Sequence, residues 1–138
     1  MIVYNRTRRQ FVASQLKIAK NVWQRFRGLL GSRELEEGEG FLIPSCKGIH
    51  TFAMAFSIDV LYLDGNYQVL AALKDFRPNL TGPVFWKAKA VLELPVGAIE
   101  KSHTQVGDFL ILEETPSDCF PEPVPLNPYA LPLPRASF

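Results

Sequence analysis

Residues 58 to 76, IDVLYLDGNYQVLAALKDF, constrain the fold more than any other stretch. Two apolar runs rich in Val, Leu and Tyr flank Asp64-Gly65-Asn66, a turn sequence that lets one strand fold back antiparallel on the other. Successive residues of a strand point to opposite sides. In the first run, extended back to Ala55, that rule puts Phe56, Ile58, Val60 and Tyr62 on one face and Ser57, Asp59, Leu61 and Leu63 on the other. Asp59 therefore has apolar neighbours whichever face turns inward, and an acid in such a place has a raised pKa or is held by a cation or by backbone donors.

Around this hairpin the chain reads as further strands with short helices. QFVASQLKIA at 10–19 alternates imperfectly and predicts one or two strands, and GFLIP at 40–44 predicts another. KNVWQRFRGLLG at 20–31 spaces Val22, Trp23, Phe26, Leu29 and Leu30 as one side of a short helix, with Asn21 placed to cap its start and Gly31 its end. SRELEEGEG at 32–40 reads as a solvated loop. NLTGP at 79–83 marks a turn and KAKAVLEL at 87–94 alternates as a strand. VGAIEKSH at 96–103 predicts one or two helical turns, and FLILEE at 109–114 a last strand. His103 adjoins that helix end in a surface or capping role.

Seven prolines within 116–138 rule out regular structure for most of that segment, because each removes a backbone donor and fixes φ. Residues 1–115 are thus expected to form one domain and 116–138 an extended, proline-rich tail. The 138 residues are 47% hydrophobic and 21% charged, enough for one core that buries roughly 68 to 70% of the unfolded surface.

A formal net charge of +1 gives no global pull towards nucleic acid or an anionic membrane, and neither partner is expected. Locally, residues 1–33 hold Arg6, Arg8, Arg9, Lys17, Lys20, Arg25, Arg27 and Arg33 with no acid, before Glu34, Glu36, Glu37 and Glu39. That reads as a solvated face balanced by the acidic loop, with phosphate or an acidic partner as the alternative. Cys46 and Cys119 make no disulfide framework. MIVYNRTRRQ lacks the apolar stretch of a secretory signal, so a cytoplasmic location is expected.

The chemistry-bearing residues gather in SCKGIHTFAM, 45–54. Cys46, His50 and Met54 are spaced by four, which suits a soft metal on a helix but separates the ligands by about 13 Å on a strand. The surrounding glycine and β-branched residues favour extended or turning chain, so no metal is expected. The Pro44–Gly48 turn can bring the Cys46 thiol to His50, with Lys47 favouring the thiolate. Thr51 offers a hydroxyl to a ligand or to a neighbour. Glu93 shares a face with Val91, and Asp59 with Glu93 forms a possible acid/base pair. No nucleophile elbow, phosphate loop, dinucleotide fingerprint or Cys-x-x-Cys pair occurs, and no cofactor is expected.

RFRGLLG at 25–31, CKGIHTFAM at 46–54, IDVLYLDG at 58–65, VLELPVG at 91–97 and VGD at 106–108, in that order, resemble the uncharacterised family known as domain of unknown function 192. The resemblance covers about residues 10–112. It implies an α+β, mainly β fold: a compact, mostly antiparallel, β-barrel-like domain with one or two short helices. It implies no reaction. Where many members carry an aromatic residue, methionine, a basic residue and proline before Ile-Asp, this chain has Ala53, Met54, Ala55 and Ser57. An anion contact supplied by that basic residue would here pass to Arg27 or Lys47.

The leading expectation is a small-ligand-binding module with a concave site around His50-Thr51, with Cys46, Asp59 and Glu93 nearby and Arg27 contacting an anionic ligand. A second uses the same residues for hydrolysis or proton transfer, with His50 as base and Cys46 or water as nucleophile. A third is an interaction domain whose 116–138 tail docks a protein.

Overall fold

The computed structural model describes residues 1–21 and 33–114. Eight strands and one short helix follow in the order β1 (Ile2–Asn5), β2 (Gln10–Ala13), β3 (Gln15–Ile18), β4 (Glu39–Pro44), β5 (Ile58–Leu63), β6 (Val69–Phe76), β7 (Ala90–Pro95), α1 (Ala98–Lys101) and β8 (Leu110–Glu113). They form a three-stranded sheet, β2-β1-β8, and a five-stranded sheet, β3-β4-β7-β5-β6. The mainly β expectation holds, as two sheets that do not close into one barrel. Every strand pair is antiparallel except β3 and β4, which run parallel in the register Gln15 to Glu39 through Ile18 to Leu42. Residues 22–31 of the helix expected at 20–31, and the tail expected at 116–138, lie outside the described residues.

Period-two alternation in the central strands sorts their side chains into two layers. One face of the large sheet sends Leu61, Leu63, Val69, Leu92 and Leu94 against Val3, Val12 and Leu110 of the small sheet, with Ile99 of α1 sealing one end. The other face presents Ile58, Val60, Tyr62, Ala71 and Val91 and is covered by Ile49, Met54 and Ala88 from two long connections. All six residues of β5 are buried, since both of its faces are covered.

These connections, 45–57 and 77–89, lie side by side as an irregular ribbon. Backbone bonds run from Phe85 to Lys47, Gly82 to Ile49, Thr51 to Leu80 and Asn79 to Thr51. Gly82 is needed here: a Cβ on it would sit 3.0 Å from both the Tyr62 hydroxyl and Ile49 Cγ1, too close for the ribbon to lie on the sheet. Among the described residues, no helix is long and apolar enough to cross a membrane.

Candidate functional site

β5 carries Asp59 on the face that meets the small sheet, where it is 1% exposed. Opposite it, β6 holds two residues where one would pair, since Ile58 faces Phe76 but Val60 faces Leu73. Lys74 and Asp75 form this bulge, and Asp75 adopts a positive φ of 50°. The Asp59 carboxyl accepts the Asp75 amide at 2.9 Å on Oδ1, and the Gly97 and Ile99 amides at 3.1 and 3.0 Å on Oδ2. It therefore closes a bulge and anchors the first turn of α1, the backbone-donor alternative foreseen for such an acid.

Glu93 lies on the opposite face. In β7 it sits between Phe41 of β4 and Val60 of β5, whereas Asp59 faces Leu94. Directly paired residues share a face, so the sheet stands between the two acids and the expected Asp59–Glu93 pair does not form. Glu93 is 3% exposed, and its Oε2 has no hydrogen-bond partner among the described residues. Burial pushes its carboxyl up to about 8, which keeps it protonated at neutral pH.

On the same face stands Tyr62, whose hydroxyl donates to the Pro83 carbonyl at 2.9 Å and whose ring meets Phe85 edge-on. Burial raises that hydroxyl to about 12, and Cys46 and Glu93 lie close enough for their charges to add to the shift. Cys46 thus joins Glu93 and Tyr62 at the sheet, but not His50. The turn after β4 closes so that the thiol donates to the Gly48 carbonyl at 2.9 Å, while His50 is exposed and stacks on Phe52.

Thr51 is fully buried and serves the ribbon. Its hydroxyl bonds the Arg77 carbonyl at 2.6 Å and accepts the Leu80 amide at 3.0 Å, so it is not presented to a ligand. Met54 is a core residue, 6% exposed. The Lys47 ammonium donates to the carbonyls of Trp86 and Ala88, and Arg27 lies outside the described residues. Among the described residues, two separate features stand out. One is the Cys46–Tyr62–Glu93 face, where Tyr62 and Glu93 are buried and Cys46 is half-buried. The other is a groove of about 550 Å³ between β2, residues 34–38 and the β7–α1 turn, which none of the candidates among the described residues lines.

Sequence reasoning missed Tyr62 as a site residue and a buried network between Asn5 and residues 104–108. Asn5 donates to Thr104 and Asp108 at 3.0 and 2.9 Å, and Asp108 also takes Arg8 and the Gln105 amide. Only the strand register reveals that Tyr62 is one row from Glu93, and only the fold brings residue 5 to residue 108.

The residues that match known proteins run through this whole framework. The family model described as Uncharacterized ACR, DUF192, matches residues 3–112. The chain belongs to the DUF192 family. A UPF0127 protein of Thermococcus sibiricus is 33% identical over 128 residues, covering 89% of this chain and 82% of its own. A UPF0127 protein of Thermococcus kodakarensis is 27% identical over 133 residues, covering 91% and 81%. A crystal structure of a protein of unknown function from Novosphingobium aromaticivorans shares the fold with a TM-score of 0.68 at 18% identity, over 80% of this chain and 82% of its own. Family membership fixes the fold and leaves the activity to the site.

Proposed function

We propose that this DUF192 member is a small-ligand-binding module whose ligand meets the sheet face carrying Cys46, Tyr62 and Glu93. The carrying observation is Glu93 Oε2, a buried carboxyl oxygen without a hydrogen bond among the described residues, in an otherwise apolar layer. Leaving such an atom unpaired costs about 1–3 kcal/mol, which a ligand donor would recover. A carboxyl protonated at neutral pH offers both a donor and an acceptor, which suits hydroxyl, amide or amine groups better than a second acid. His50, on the exposed side of the ribbon, is left at the rim of this reading, and Asp59 and Thr51 are left in the scaffold.

A thermal-shift screen of sugars, nucleosides, amides and amines tests it. A ligand present at about 100 times its Kd stabilises the fold by roughly 2.7 kcal/mol. The shift is expected to vanish in Glu93→Leu, which keeps the volume and removes the polar oxygen. A library that stabilises nothing, or a hit retained in full by Glu93→Leu, refutes the assignment.

A further inference from the structure

We infer that the outer side of the ribbon, segments 45–57 and 77–89, docks on an anionic lipid surface. The ribbon is two-sided. Ile49, Met54 and Ala88 point into the core, whereas Trp86 is 79% exposed, Val84 53%, Phe52 50% and Leu80 43%. Backbone bonds between Thr51 and Leu80 and between Lys47 and Phe85 join the two segments that carry these four bulky apolar chains. Single exposed apolar residues need no explanation, but four on two hydrogen-bonded segments make a patch that water solvates poorly.

Charge identifies the partner. Neither segment contains an aspartate or glutamate, although the whole chain is almost neutral. Arg77, Lys87 and Lys89 are exposed, and none takes part in an ion pair among the described residues. The His50 ring stacks on Phe52 and extends the aromatic part of this surface. Cations beside Trp, Phe and aliphatic side chains match the boundary of a bilayer, where apolar groups enter the acyl edge and bases meet lipid phosphates. Single-stranded nucleic acid would engage the rings and bases but gain little from Leu80 and Val84. An acidic peptide would engage the bases and leave Trp86 in water. A lipid surface takes both kinds of group at once, with each base near it contributing to attraction.

Sedimentation of the full chain with vesicles tests this, comparing phosphatidylcholine alone with phosphatidylcholine containing phosphatidylglycerol. The protein is expected to pellet with the mixed vesicles at low salt and to be released at high salt. Trp86→Ser should lower partitioning on the order of tenfold, because an indole is the largest apolar group lost. The paired change Arg77→Glu with Lys87→Glu should lower it further while melting temperature stays put, since both side chains are solvent-exposed. In a Trp23→Phe background, the remaining Trp86 emission should shift to the blue and be quenched by brominated lipid. Protein that stays in the supernatant with mixed vesicles overturns the inference, as does Trp86→Ser pelleting like the parent. Retention on polyglutamate or oligothymidylate without vesicle binding assigns the surface to another partner and overturns it too.

Discussion

Glu93 carries a pH dependence whose sign follows from its burial. Unfolded, its carboxyl ionises near 4.5, and in the folded chain it holds its proton up to about 8. Between those values the unfolded state loses a proton that the native state keeps, so stability falls as pH rises from about 4.5 and levels off above about 8. The gap corresponds to at most about 5 kcal/mol, at 1.36 kcal/mol per unit. Glu93→Gln keeps shape and polarity but cannot ionise. Denaturant titrations at several pH values should show the parent weakening across this window while the variant changes less by that amount; parallel curves would mean the acid is paired. Half of this was legible beforehand. Alternation places Glu93 beside Val91 and Asp59 beside Leu61, yet nothing local states that Val60 rather than Asp59 faces Glu93. That register comes from pairing strands about thirty residues apart. The distinction between a satisfied acid and an unsatisfied one depends on it.

Among the elements, the β5–β6 bulge shows how one side chain can hold two pieces of structure. Asp59 takes three amides, from Asp75, Gly97 and Ile99. Asp59→Ala leaves these N–H groups without their acceptor and is expected to cost about 3 kcal/mol or more. Asp59→Asn replaces one acceptor oxygen by a donor and should cost about 2 kcal/mol. Native-state hydrogen exchange supplies the local readout: the Gly97, Ile99 and Asp75 amides should lose protection beyond the global change, and a uniform loss would place the effect elsewhere. The elements themselves were read with unequal success, for physical reasons. The Asp64-Gly65-Asn66 hairpin and the 96–103 helical turns carry their signals within a few residues, and Asp64 does accept the amides of Asn66 and Gln68. β1 is only four residues long and has no turn chemistry of its own before Asn5, so it escaped notice. The parallel β3–β4 pair joins segments about twenty residues apart, a relation no local pattern encodes.

Across the whole molecule, β1 is the central strand of the small sheet and pairs with both β2 and β8, so the beginning and end of the described chain close on each other. Beneath that closure lies the network in which Asn5 donates to Thr104 and Asp108, while Asn5 Oδ1 accepts the Arg8 amide. Burial alone would raise the Asp108 carboxyl, but the bonds from Asn5, Arg8 and Gln105 outweigh it and hold the group below its ordinary value. A carboxyl depressed by folding contributes stability that is present above its unfolded pKa and disappears as pH falls through the folded one. Asn5→Ala is expected to cost about 2 kcal/mol at neutral pH, a drop of roughly 8 °C in Tm for a chain of this size. A double-mutant cycle with Asp108→Asn isolates the pair, because Asn5 and Asp108 are in contact and their effects should not add. The coupling should be about 1 kcal/mol or more at pH 6 and shrink as the pH falls through the depressed titration of Asp108, where protonation removes the charge that strengthens the bond. Additive losses at pH 6 would mean that strand pairing alone closes the chain, and that Asn5 is buried for its packing rather than for its hold on Asp108.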